Sequence, residues 1–127
     1  MVVKKDIGKL LTETLRSFQA AAPGVTGSAV VSVDGFAIAS ELPTSVEERR
    51  VCAMSAAMLA LGEQTATEFE HGALERVFVE GGSGYTIITS AGPEAVLAAI
   101  ASRDAKLGLV FLQVGRTAEL VRGVMTE

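Results

Sequence analysis

The chain has 127 residues, of which 49% are hydrophobic, and its charged residues give a net charge of −4. This length predicts one domain over residues 1–127, and this composition excludes a disordered chain. The absence of a basic stripe and the scarcity of aromatic residues argue against a nucleic-acid partner. No apolar run approaches the ~20 residues of a membrane span, so we expect a cytoplasmic protein with no membrane span.

Hydrophobic periodicity predicts three helices and five strands in the order α-β-β-α-β-β-β-α. Helices are indicated by apolar residues that recur at three and four positions, and strands by short apolar or alternating runs between Gly and Pro turns. The predicted ranges are about 7–18, 27–33, 36–41, 46–69, 74–80, 84–90, 95–101 and 107–125.

Two local signals support these boundaries. The pair Asp34-Gly35 predicts a hairpin with a type I′ turn, which needs positive φ at both central residues. Ser45 and Glu48 have the spacing of a capping box, which predicts that the second helix begins at Val46.

The predicted elements define an α+β domain with a five-stranded antiparallel sheet. The residue pairs Val30-Val31 and Ile87-Ile88 are apolar on both sides of the pleat. Because both sides of such strands need cover, the pattern predicts helices on both faces of the sheet.

The second helix contains an uncharged stretch, VCAMSAAMLALG, over residues 51–62. One apolar stripe, predicted to lie on the sheet, consists of Val51, Met54, Met58, Leu61 and Phe69. The opposite side is also apolar, and a helix that is apolar all round is buried on more than one side. We therefore expect a dimer through this helix, in which the same patch meets itself. The alternative is that loops or the terminal helix cover this face within one subunit.

The return strand supports the dimer hypothesis. Residues 36–40, FAIAS, are short and weakly charged, and they form a predicted edge strand. Since an unprotected edge invites pairing with another chain, the sequence predicts that this strand pairs with its own copy.

Three charged residues, Glu48, Arg49 and Arg50, precede the apolar stretch. Their simplest interpretation is a solvated helix start. The alternative is a docking rim beside the apolar face, since arginine is favoured at interfaces.

No catalytic or metal-binding constellation is found in the sequence, so we expect no enzyme, no cofactor and no metal site. The GGSG stretch at Gly81 lacks the Lys-Ser/Thr and the helix start of a phosphate loop. His71 is the only histidine and Cys52 the only cysteine, and one of each cannot form a zinc site. We interpret Cys52 as a small buried hydrophobe.

The order of these segments resembles the Roadblock/dynein light chain family, most closely its bacterial MglB-like branch. The resemblance rests on GVTGSAVVSVDGFAIASELP, a long Ala/Met-rich helix, three strands and a helix that opens KLGLV. It implies a dimer, with itself or with a paralogue, whose two sheets join through the second strand to form one continuous sheet. It also implies a non-enzymatic protein that binds a small GTPase; some members accelerate GTP hydrolysis or promote exchange.

The resemblance also implies roles for individual residues. The sheet junction would contain Phe36 and Ile38. The helix pair would contain Ala53, Ala56, Leu59 and Ala60. The surface where a GTPase could dock would be flanked by Arg49 and Arg50, beside Glu48. Two alternatives stay open: a scaffold or light chain with no effect on nucleotide turnover, and a small-molecule sensor domain.

Overall fold

The computed structural model describes residues 6–126. Within them, three helices and five strands follow each other in the predicted order. The elements are α1 (Ile7–Ala21), β1 (Val25–Ser32), β2 (Ala37–Glu41), α2 (Glu48–Glu68), β3 (Val77–Gly81), β4 (Gly84–Ser90), β5 (Ala95–Ser102) and α3 (Leu107–Met125).

The five strands form one antiparallel sheet in the order β2-β1-β5-β4-β3. The long strands β1 and β5 pair near its centre, with Ser28 opposite Ala99. The GGSG stretch closes the β3–β4 hairpin, where Gly81 pairs with Gly84. As a result, β2 and β3 are the two edges of the sheet, and the predicted edge position of β2 is confirmed.

Helices cover both faces of the sheet, as the paired apolar residues predict. Val30 and Ile87 belong to a large core cluster with residues of α1 and α3. Val31 and Ile88 belong to a smaller cluster on the other face, which packs against α2. Because neighbouring strand residues point to opposite faces, each pair supplies one residue to each core.

The predicted orientation of α2 is right only for Met58, which packs against the smaller cluster as expected. Cys52 and Leu59 face the sheet and are buried, whereas Met54 and Leu61, which were expected there, are exposed. Buried Ser55 lies on the same side of the helix as Cys52 and Leu59, because residues three and four apart share a face. Hydrophobicity alone could not choose between the two apolar sides of this helix.

The start of α2 also differs from the prediction. The helix begins at Glu48 with Glu47 as the N-cap residue, and no side chain caps it. The Glu48 carboxylate instead accepts a hydrogen bond from the Ser40 hydroxyl on β2. The capping box is therefore absent, because its acidic member contacts the neighbouring strand.

The β1–β2 turn is a hairpin, but not of type I′. Among the described residues, Gly35 has a positive φ of 93° and Asp34 does not. The Gly35 N–H donates to the Ser32 carbonyl at 2.9 Å, which is the hydrogen bond of a four-residue β-turn over residues 32–35. A turn followed by glycine in the left-handed region is a common alternative way to close a hairpin.

Candidate binding surface

The outer side of α2 is an exposed apolar face. We call the set Ala53, Met54, Ala57, Ala60 and Leu61 the α2 face; all five residues are exposed, and Leu61 is 61% exposed. Their spacing places them on one side of the helix, opposite Cys52 and Leu59. Three alanines along the middle of this face would let a second helix approach closely.

The β1–β2 turn joins this face to the edge of the sheet. A Cβ added to Gly35 would lie 3.4 Å from Ala53 Cα and 4.0 Å from Ala56 Cβ, so the turn packs directly on α2. The next residue, Phe36, is 71% exposed. An exposed aromatic ring, the open edge of β2 and the α2 face therefore form one continuous apolar surface.

The residues predicted for a dimer interface differ in how exposed they are. Phe36, Ala53 and Ala60 are exposed on the continuous surface, and Ala56 is half-buried beneath the turn. Ile38 is half-buried against the core formed with α1 and α3.

Leu59 was expected in the helix pair, but it does not lie on this surface. It is 5% exposed and packs on the sheet, so its side chain is not available to a partner. The sequence reasoning missed Met54, Ala57 and Leu61 as surface residues because it placed the helix rotated about its own axis. Once the buried side is fixed by Cys52 and Leu59, helical spacing alone identifies the outer residues.

The three charged residues at the start of α2 are all exposed. Glu48 is bonded to Ser40, and Arg50 forms an ion pair with Glu47 at 3.4 Å. Among the described residues, Arg49 has no acidic partner within ion-pair distance. This cluster lies at the end of the α2 face nearest β2, so it borders the apolar surface, while its role as a docking rim stays a prediction.

Cys52 is buried beneath α2, as expected for a small hydrophobe. Burial, with a smaller contribution from the Glu48 carboxylate, raises the pKa of the Cys52 thiol. Because the thiolate is the reactive form, this environment keeps the residue unreactive at neutral pH.

The described residues hold no group of three or more His, Cys, Asp or Glu side chains that could bind a metal ion. His71 is exposed just after α2, where its ring stacks on Phe69 at a centroid distance of 5.9 Å. No helix in the part of the chain that the structure describes is long and apolar enough to cross a membrane.

An open depression lies between the end of α2 and β3. Its volume is about 470 Å³ and its lining includes Thr65, His71, Leu74 and Arg76. The small-molecule sensor alternative expected space along the alanines of residues 95–101, which are packed in the core instead, and that alternative stays a prediction.

The sheet and its helices on two faces define a three-layer α+β domain of the predicted class. Residues 11–101 match the model of the Roadblock/LC7 domain, and the chain belongs to this family. The uncharacterized protein MJ1340 of Methanocaldococcus jannaschii is 39% identical over 101 residues, which are 80% of this chain and 88% of that protein.

Solved structures share the fold. The Roadblock/LC7 domain from Streptomyces avermitilis superimposes with a TM-score of 0.85 at 20% identity, over 91% of this chain and 98% of that one. MglB of Myxococcus xanthus superimposes with a TM-score of 0.86 at 16% identity, over 99% of this chain and 95% of that one. The expected likeness to MglB is therefore confirmed at the level of the fold.

Proposed function

We propose that the protein is a non-enzymatic, cytoplasmic dimer that binds a small Ras-like GTPase and modulates its nucleotide cycle. The observation that carries the proposal is the continuous apolar surface of Phe36, the β2 edge and the α2 face. Membership of the Roadblock/LC7 family and the likeness to MglB support it. In this proposal, two copies pair their β2 edges and their α2 faces, and the GTPase docks beside Arg49 and Arg50.

The physical basis of the dimer is the removal of apolar surface from water. Phe36, Met54 and Leu61 are large hydrophobic residues exposed on one side of the molecule. Each buried apolar Å² contributes about 25 cal/mol, and a paired β2 edge also satisfies backbone groups that a lone edge exposes. A symmetric contact uses the same patch twice, so one exposed surface is sufficient for assembly.

The first test is the substitution Ala60→Glu, which places a charge in the middle of the α2 face. We expect the dimer to become a monomer in light scattering, because pairing would bury two unpaired carboxylates. The matched control is Ser17→Glu, which adds the same charge at an exposed position of α1 on the opposite side of the sheet. A variant with Glu at residue 60 that keeps the dimer mass would contradict the proposed interface.

The second test measures GTPase binding. A Ras-like GTPase cloned from the source organism is loaded with GDP or with a non-hydrolysable GTP analogue and titrated with the protein. We expect binding in one nucleotide state, and weaker binding with Ala60→Glu than with Ser17→Glu.

The same surface is compatible with a second function, a dimeric scaffold that binds a partner without changing nucleotide turnover. The two functions differ in one measurement, the rate of GTP hydrolysis and of nucleotide release with and without the protein. Binding with unchanged rates would favour the scaffold.

A further inference from the structure

A second apolar surface lies on the opposite side of the molecule, along α3. Leu112 and Leu120 are 49% and 61% exposed there. They line an open groove of about 730 Å³ together with Phe111, Gly115, Arg116 and Glu119. Because α3 and α2 cover different faces of the sheet, this groove is separate from the α2 face.

The outer side of α3 also carries three glycines, Gly108, Gly115 and Gly123. A Cβ added to any of them would meet nothing within 4 Å. Glycine in a helix interior costs roughly 0.5–1 kcal/mol relative to alanine, and nothing within the subunit requires it at these positions. The glycines leave shallow notches beside the exposed leucines.

The charges of this surface complement each other under a two-fold axis. Consider the α3 of a second copy that runs antiparallel to the first, related to it by a two-fold axis that crosses the helices midway between Arg116 and Glu119. Arg116 of each copy then lies level with Glu119 of the other. Glu119 already forms an ion pair with Arg122 of its own helix at 3.5 Å, yet it stays exposed, so a second partner can reach it.

The sizes of the side chains match in the same arrangement. Leu112 and Gly123 are equally far from the axis and lie on nearly the same side of the helix, so Leu112 of each copy meets the Gly123 notch of the other. We propose that the groove along α3 binds the α3 of a second copy of this chain, in an antiparallel, symmetric pair.

The proposed pair is small. Residues 108–123 span about 24 Å of helix, so the contact falls at the low end of interface sizes, below about 1,200 Å². We therefore expect a weak, concentration-dependent association that joins dimers into larger assemblies. It is independent of the α2 face, because it uses the other side of the sheet.

The test is charge reversal in the full chain, in the background of Ala60→Glu. In Arg116→Glu alone, two negative side chains lie level with each other across the pair. In Glu119→Arg alone, two positive side chains do. An equimolar mixture of the two variants restores both opposite-charge pairs. By analytical ultracentrifugation, we expect each variant alone to lose at least about tenfold in association constant, and the mixture to regain it.

A substitution that fills one of the glycine notches tests whether they receive a leucine of the other copy. Gly123→Gln adds a side chain where Leu112 of the other copy must approach, and the space within the subunit is open. We expect loss of the α3 pair with an unchanged or higher melting temperature, which separates loss of association from loss of folding.

The inference would be overturned if the mixture of the two charge variants associated no better than each variant alone. It would also be overturned if Gly123→Gln associated as strongly as its parent, or if the mass of the Ala60→Glu protein did not change with concentration. If Ala60→Glu itself leaves a dimer, the α2 proposal fails, while recovery in the mixture still decides the α3 proposal.

Discussion

Leu59 and Leu61 provide a direct test of how α2 is oriented. Leu59 is 5% exposed and lies on the sheet, while Leu61 is 61% exposed on the outer side. Leu→Ala at a buried site costs about 2–5 kcal/mol, and we expect about 2–3 kcal/mol for Leu59→Ala because the cluster beneath α2 is small and open at its edges. This corresponds to a decrease in melting temperature of about 10 °C.

Leu61→Ala is the matched control, with the same side-chain change two residues away. We expect its effect on the free energy of unfolding of the subunit to stay within about 0.5 kcal/mol. Urea unfolding at two protein concentrations measures both variants, since any contribution from assembly changes with concentration. Equal losses for the two variants, or a larger loss for Leu61→Ala at low concentration, would refute the orientation of the helix.

Two further predictions concern helix glycines and the buried cysteine. Gly62→Ala should destabilise the subunit by about 1–2 kcal/mol, because the added Cβ would lie 2.6 Å from Val77 Cγ2. Gly115→Ala should stabilise it by about 0.5–1 kcal/mol, because its Cβ would enter open space and alanine favours the helix. Urea unfolding midpoints at low protein concentration measure both effects, and a stabilising Gly62→Ala would contradict the packing of α2 on β3. The pKa of the Cys52 thiol is raised by burial, so its contribution to stability is complete below the unfolded-state pKa of about 8.5 and is lost as pH rises further. The difference in unfolding free energy between the wild-type protein and Cys52→Ala should therefore shrink between pH 7 and pH 10. A difference that stays constant over this range would contradict the raised pKa.

Element order was the part of the fold that the sequence predicted best. Turns at Asp34-Gly35 and at Gly82 separate apolar runs, and these runs have strand length. The residue pairs Val30-Val31 and Ile87-Ile88 were sufficient to predict cover on both faces. Such signals are local, and each depends on a few neighbouring residues.

The orientation of α2 could not be predicted, because it depends on which of two apolar sides fits the sheet. Ala53 and Ala60 were assigned to the outer surface together with Leu59, which packs inside. The conformation of the turn at Asp34 and the bond between Glu48 and Ser40 depend on contacts between elements. Periodicity gives the spacing of a helical stripe, and only packing decides where the stripe points.

The unequal division of the core between the two faces of the sheet has a consequence for how the protein opens. The smaller cluster holds α2 alone, whereas α1 and α3 share the larger one and pack on each other. Local opening needs less free energy where fewer apolar groups are buried, so α2 is the layer whose detachment costs least. A partner that covers the α2 face raises the cost of that opening, and assembly and the order of this layer are therefore thermodynamically linked.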